Sequence, residues 1–294
     1  MISCPECQHT YPSKIEKCPE CSFSPKLING FKSWDPDLAE KGSGFKSEYF
    51  YKLYQAEENN FWFKARNQLI QWALRTYASN CQSFLEIGCG TGFVLSGVRD
   101  TIPSSNIVGS EIFTAGLAFA AKRVPEAELV QMDARNLPYK EEFDVISAFD
   151  VIEHIDEDIL VLKNLFRGLK SGGLIMITVP QHQWLWSSVD VHACHVRRYS
   201  SAELHEKIEQ VGFNIIRTTS FVSFLLPAMY LSRFKISKNK DPDPDSDSDS
   251  DSELNINPFI NYLFEKILGL ERFFIRIGVR FPFGGSRLVL ARKR

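Results

Sequence analysis

Short apolar runs at 83–87, 106–111, 128–132, 143–148 and 173–179 alternate with stretches whose apolar residues recur every three to four positions. The first pattern predicts strands and the second amphipathic helices. Strands and helices alternating in this way build a parallel sheet with helices on both faces. The run Gly173-Leu174-Ile175-Met176-Ile177-Thr178-Val179 is almost wholly apolar, as a strand covered on both faces should be. Runs at 213–219 and 286–291 add a sixth and a seventh strand, the last fed by a Gly284-Gly285 turn. The expected fold class is α/β, doubly wound.

The first of these strands carries the densest signal. Phe84-Leu85-Glu86-Ile87-Gly88-Cys89-Gly90-Thr91-Gly92 runs from a strand through an acid into alternating glycines, and a helical pattern follows. Glycines at that spacing permit a tight turn and a close approach of backbone to ligand. Glu111 ends the second strand, where the ribose hydroxyls of a nucleoside cofactor need an acceptor. Met132-Asp133-Ala134 ends the third, and the fourth runs to Asp150. A dinucleotide site is disfavoured, because it wants G-x-G-x-x-G opening a helix and Gly92 is followed by Phe93-Val94-Leu95.

In order and spacing, FLEIGCGTG, GSEI, QMDARNLPY and FDVISAFDVIEHI resemble the successive motifs of class I S-adenosylmethionine-dependent methyltransferases. The resemblance covers roughly residues 60–220 and the last strand, and within the family it is to the quinone-biosynthesis and glycan-cluster branches. It implies a Rossmann-like sheet of seven strands in the order 3-2-1-4-5-7-6, with the last strand antiparallel. It also implies that the loop with Glu86, Gly88, Cys89, Gly90 and Gly92 lies beneath the methionine part of the cofactor. Glu111 and Ile112 would then meet the ribose, Asp133 and Ala134 the adenine, and Asp150 the same site from the fourth strand. In similar enzymes an E-x-x-H-F-W-F-x-x-R stretch covers that pocket. Residues 57–66 follow this pattern, with Asn60 where histidine is usual, and the resemblance places Arg66 on the methionine carboxylate.

Methyl transfer from a sulfonium needs little covalent help. The chain must align an acceptor, exclude water and, for a hydroxyl, remove a proton. In doubly wound sheets such groups lie at the carboxyl ends of the strands. Two segments qualify: 150–154, and a loop at 181–199 holding three histidines, two tryptophans and two arginines. Candidate bases are His154 and His195, and candidate acceptor contacts are Trp186, His192 and Arg198. A purely structural reading competes, in which Asp190 pairs with the arginines and Ser200 caps the helix that follows. His192, Cys194 and His195 lie too close in sequence to be expected on one metal ion.

The flanks differ in kind. Cys4-Pro5-Glu6-Cys7 and Cys18-Pro19-Glu20-Cys21 are two identical knuckles, and two C-x-x-C turns close a tetrahedral Cys4 zinc site. A ribbon of about 25 residues cannot bury a core, so the metal would supply its folding energy. The expected organisation is a zinc ribbon at 1–25, a linker at 26–45, a methyltransferase domain at 46–220 with 286–294, and an insertion at 221–285. Within the insertion, Asp241 to Glu253 is an acidic DP/DS repeat expected to be disordered. Around it, 221–235 and 259–280 combine apolar and basic residues, with Phe259, Ile260, Leu263, Phe264, Ile267, Phe274 and Ile277 expected on one side of a helix. Such segments suit peripheral contact with a membrane interface.

Composition narrows the function further. The net charge of −2 includes −7 from residues 241–253, so the remainder carries +5. No basic-then-apolar leader is evident, no run approaches the ~18 apolar residues of a bilayer span, and the cysteine spacing suits a metal rather than disulfides. A cytoplasmic location, with membrane-peripheral contact, is expected. The [N/D]-P-P-[Y/F] motif of base-amine methyltransferases is absent after the fourth strand, as is the Pro-Cys pair of the base-C5 type. The leading expectation is O-methylation of a small-molecule or lipid-linked acceptor. RNA methylation, with the zinc ribbon gripping RNA, is the alternative, and a non-catalytic binding or scaffold role is the third reading.

Overall fold

The structure, a computed structural model, describes residues 1–39, 47–237 and 256–294. Its central feature is one mixed sheet. In chain order the strands of this sheet are β3 (Lys26–Ile28), β4 (Phe31–Ser33), β5 (Ser83–Ile87), β6 (Asn106–Glu111), β7 (Glu128–Gln131), β8 (Phe143–Phe149), β9 (Leu169–Pro180), β10 (Phe213–Phe221) and β11 (Ser286–Lys293). Across the sheet the order is β10-β11-β9-β8-β5-β6-β7-β4-β3. Strands β5 to β9 pair in parallel, and β11 runs antiparallel to both β9 and β10.

The expected sheet of seven strands in the order 3-2-1-4-5-7-6 is therefore corrected to nine strands. The two additions come from 26–33, within the stretch expected to be a linker. Asn29 and Gly30 both have positive φ, 52° and 88°, which fits the twist of a two-residue hairpin turn. The hairpin then docks β4 in parallel along β7. Ser33 Oγ donates to Gln131 Oε1 at 2.6 Å and Trp34 N to Gln131 O at 2.9 Å. Without it, β7 would present an unpaired row of amides and carbonyls.

Helices cover both faces. They are α1 (Ser47–Ala56), α2 (Phe61–Tyr77), α3 (Phe93–Thr101), α4 (Thr114–Arg123), α5 (Asp158–Gly168), α6 (Ser188–His192), α7 (Ser201–Gln210), α8 (Leu226–Ser237) and α9 (Pro258–Arg276). Side chains alternate across the strands as their period of two requires. Phe84 packs with Leu69, Ile70 and Leu74 of α2 and Leu95 of α3, whereas Leu85 and Ile87 pack with Val161 and Leu165 of α5 and Leu204 of α7. Each such fully buried side chain contributes roughly 1.5–3 kcal/mol.

The N-terminal ribbon, β1 (Ile2–Ser3) paired with β2 (Thr10–Tyr11), is docked on this body. Ile2, Tyr11 and Cys18 share a core with Leu137, Tyr139 and Phe143, and Ser3 N donates to Pro138 O at 2.7 Å. In the insertion, α9 lies along α2. Asn261 Oδ1 accepts from Phe61 N at 2.8 Å, and Lys64 pairs with Glu265 at 2.7 Å. This splits the stripe expected on one side of the helix. Phe264 and Ile267 pack inward with Leu268 and Ile275, while Phe259, Ile260, Leu263 and Ile277 are exposed. The acidic stretch 241–253 lies outside the described residues.

Candidate active site

The glycine turn leaves β5 at the carboxyl edge of the sheet and enters α3. Gly90 has φ +52°, and a Cβ built there meets no atom within 4 Å, so its open side faces unfilled space. The turn is held from below by Glu111, which ends β6. Glu111 Oε2 accepts from Gly90 N at 3.0 Å, and Oε1 accepts from Ile112 N at 2.9 Å and Phe113 N at 3.3 Å. Burial raises the Glu111 carboxyl, and these three amides pull against it.

From above, the turn between α1 and α2 closes onto the same loop. Thr91 Oγ1 donates to Glu57 Oε2 at 2.5 Å, Arg123 bonds both, and Arg123 Nη2 donates to Tyr54 O at 2.8 Å. Asn60, the departure from the usual pattern, caps α2 by accepting from Trp62 N at 2.9 Å. A cap needs a short polar acceptor, which explains the substitution. Arg66, one turn into α2, stacks over Trp62 and pairs with Asp150.

Three buried polar atoms around the glycine turn lack partners: Oε2 of Glu86, Nε of Arg66 and Nε of Arg123. Glu86 is buried at the end of β5, and burial pushes its carboxyl up to about 8 although Arg66 pulls it down. Asp133, after β7, is occupied by Arg135, whose Nε lies 2.9 Å from Oδ2, and Ala134 is buried in the following turn. Cys89 is buried beneath the loop, its amide donating to Ser110 O.

The acceptor candidates separate into two groups. His154, Glu153 and His195 come together, with the imidazole rings 4.7 Å apart and His195 Nε2 3.9 Å from Glu153 Oε1. His195 Nδ1 bonds Asp190 Oδ1 at 2.9 Å, and Arg198 Nε donates to the same oxygen at 2.7 Å. Asp190 is wholly buried. Burial alone would raise its carboxyl, but the bonds from His195 and Arg198 hold it well below the usual carboxylate range. Arg198 is thus an internal partner, buried and also bonded to Gln181 O. His192 Nδ1 bonds Ser188 O at 2.7 Å inside its own helix, and Trp186 is half-buried at the head of the loop. Ser200 caps α7 as expected, accepting from Glu203 N at 3.1 Å.

The sequence placed Glu153 in the qualifying segment 150–154 without a role of its own; its carboxyl is fully buried with neither oxygen hydrogen-bonded. Burial, and then the neighbouring Asp150, raise it well above the carboxylate range. Sequence reading passed over the Glu57–Thr91–Arg123 network. No spacing rule joins residues this far apart in sequence.

At the N-terminus the two knuckles face each other. Cys4 and Cys21 sulfurs lie 3.5 Å apart, as do those of Cys7 and Cys18, and all four fall within 4.8 Å of one another.

Comparisons with known proteins bear on the region just described. A methyltransferase-domain family model matches residues 54–218. A Mycolicibacterium smegmatis protein named a probable S-adenosylmethionine-dependent methyltransferase is 27% identical over 161 residues, 54% of this chain and 61% of that one. The dTDP-4-amino-2,3,4,6-tetradeoxy-D-glucose N,N-dimethyltransferase of Saccharopolyspora spinosa is 28% identical over 146 residues, 48% of this chain and 57% of that one. The chain thus spans less than two thirds of the length of these relatives. Among solved structures, phosphoethanolamine N-methyltransferase 2 of Haemonchus contortus, in complex with S-adenosyl-L-methionine, matches with a TM-score of 0.54 at 18% identity. That match covers 85% of this chain and 58% of that one, a likeness of fold. With more than half of its residues matched by the family model, and the glycine turn inside that match, the chain belongs to the methyltransferase-domain family.

Proposed function

We propose that the protein transfers a methyl group from S-adenosylmethionine to an oxygen of a small-molecule or lipid-linked acceptor. The observation that carries the cofactor half is that the orphaned atoms beside the glycine turn include both an acceptor and a donor. An amino-acid head group needs one acceptor for its ammonium and one donor for its carboxylate, and Glu86 Oε2 and Arg66 Nε offer one of each. Glu111, Ile112, Asp133 and Ala134 continue that site along the strand ends toward the nucleoside. When bound, the sulfonium supplies an activated methyl group. The chain's own work is to hold the donor by these contacts, exclude water beneath the α1–α2 turn, and present the acceptor from the side of His154 and His195.

An oxygen acceptor must lose a proton, and this side of the site is built from Glu153 and two imidazoles. With Nδ1 bonded to Asp190, His195 offers the lone pair of Nε2. The Saccharopolyspora relative is named for a small nucleotide-sugar acceptor, which supports a small acceptor here. The exposed apolar face of α9 supports a lipid-linked one. Calorimetry with S-adenosylhomocysteine should show one saturable site with Kd of about 1–100 µM. Labelled cofactor incubated with lipid, RNA and small-molecule fractions should mark the lipid or small-molecule fraction. No saturable binding at millimolar ligand would end this reading, and label confined to RNA would replace the acceptor.

We further infer that the four cysteines hold a structural zinc ion. A tetrahedral site with Zn–S of about 2.3 Å has sulfurs about 3.8 Å apart, close to the spacings found. Bound zinc would crosslink the two knuckles. Elemental analysis should find about one zinc per chain. Cys18→Ser should release it and loosen residues 1–33 while cofactor binding persists. Protein purified without chelators and lacking stoichiometric metal would refute the site.

A further inference from the structure

We propose that Glu153, His154 and His195 form a second metal centre, for a divalent cation that binds the oxygen of the methyl acceptor. Glu153 is 0% exposed, and no other described side chain leaves both carboxylate oxygens buried without a partner. One ligand atom from each of the three residues lies within 4.8 Å of the others. His195 Nε2 stands 3.9 Å from Glu153 Oε1, too far for a hydrogen bond. A gap lined by one carboxyl and two imidazoles, with no hydrogen bond between Glu153 and His195 across it, fits a cation that would displace the carboxyl proton. Metal–ligand bonds of about 2.0–2.2 Å would draw these atoms to roughly 3–3.6 Å from one another.

The surroundings favour a metal over a chance cluster. The outer nitrogen of His195 is tied to Asp190, and Asp190 is itself anchored by Arg198. This fixes the Nδ1–H tautomer and aims the Nε2 lone pair inward, the arrangement that orients metal-ligating histidines. His154 is exposed, so the cluster opens to solvent on one side and leaves coordination positions for a ligand. Two imidazoles and one carboxylate suit a first-row transition ion better than Mg2+.

The role assigned to the ion rests on the methyltransferase reading; the site itself does not. With the His195 Nε2 lone pair on the cation, the cation takes over from His195 as the means of deprotonation: a hydroxyl bound to it loses its proton to solvent more readily. The resulting oxygen anion forms the C–O bond as the C–S bond breaks. The electron pair of that bond stays on sulfur, and neutral S-adenosylhomocysteine leaves.

Mn2+ is the probe of choice, because it avoids thiolates and so ignores the cysteine cluster. The full chain, as purified, is titrated with Mn2+ and followed by electron paramagnetic resonance. One saturable site is expected. Glu153→Gln and His195→Ala should each weaken it at least tenfold, while the thermal transition of the near-isosteric Glu153→Gln stays intact and S-adenosylhomocysteine binds both variants as before. Absence of saturable Mn2+ binding in wild type, or binding unchanged in both variants, would overturn the site. Mn2+ binding without S-adenosylhomocysteine binding would keep the site and remove its proposed role. The reverse would remove the metal alone.

Discussion

Glu111 and Glu153 are both buried carboxylates at the carboxyl edge of the sheet, and their surroundings differ completely. Glu111 accepts from the amides of Gly90, Ile112 and Phe113. Neither oxygen of Glu153 has a partner, and the nearby order comes from a chain of side chains, Asp190 with His195 and Arg198. At the glycine turn, main-chain groups of neighbouring loops do the holding. Around Glu153, charged side chains of the single loop 190–198 do it. A site held by backbone tolerates lost side chains and fails on added volume. A site held by buried charge tolerates volume at its mouth and fails when one charge is removed.

Paired substitutions test that contrast where the effects are largest. Gly90→Arg should fill the open side of the turn and weaken cofactor binding at least a thousandfold, about 4 kcal/mol, while the left-handed backbone at Gly90 costs only about 1–2 kcal/mol of stability. Asp190→Asn should do the opposite. It leaves buried Arg198 without its counter-charge, a loss of about 3–5 kcal/mol of stability, while cofactor affinity measured well below the transition stays within a few-fold. Calorimetric titration and thermal unfolding on the same preparations decide. If Asp190→Asn abolishes cofactor binding in folded protein, the two sides are not independent.

A pH experiment sharpens the cofactor side alone. Burial pushes Glu86 up to about 8 in the empty site, against about 4.3 in an unfolded chain. The folded protein therefore holds an extra proton between these values. Its contribution to stability is complete below the unfolded pKa and is lost as pH rises through the folded one. An ammonium group placed on Glu86 would favour the ionised form, so cofactor binding should release a proton in that window and tighten as pH rises. Calorimetry at pH 6.5 in two buffers of different ionisation enthalpy measures the release. Glu86→Gln should remove it, and an unchanged release in that variant would show that the ammonium lies elsewhere.

The same contrast explains what the sequence disclosed. The five parallel strands were legible because runs buried on both faces carry no competing pattern. The glycine turn and the cysteine knuckles were legible because their chemistry is local. The β3–β4 hairpin carried its signal, Asn29-Gly30 between Leu27-Ile28 and Phe31, but Pro, Gly and Asp around it read as a linker. The 181–199 loop stood out by density of His, Trp and Arg, yet its internal roles did not. Arg198 and Asp190 turn inward, and only the fold reveals that Glu153 has no solvent to face. Helix α9 misled for another reason. It is apolar on two faces, so periodicity grouped Phe264 and Ile267 with Phe259 and Leu263 although they point apart.

That second face of α9 yields the smallest expected effect. Phe259, Leu263, Leu270, Phe273 and Ile277 form an exposed stripe, with Phe259 at 74% and Ile277 at 62%. Lys266, Arg276 and Arg280 are exposed beside it. The carboxylates of 256–283 do not offset them, since Glu265 pairs with Lys64 and Glu271 is buried against the amides of Ser223 and Phe224. Trp184 of the 181–199 loop packs on Tyr230 of α8, with ring centroids 5.8 Å apart, and both rings are exposed. Described helices are too short or too polar to cross a membrane, so any lipid contact they make is interfacial. Each basic residue near an anionic surface contributes about 1 kcal/mol. Vesicles containing phosphatidylserine should therefore co-sediment the protein at low salt more strongly than neutral vesicles. Arg276→Gln with Arg280→Gln should reduce that binding about tenfold or more, and cofactor affinity should not move. Failure to bind at low salt, or indifference to the lost charges, would leave the stripe as a protein contact. Sedimentation velocity would then show the chain associating with itself as its concentration rises.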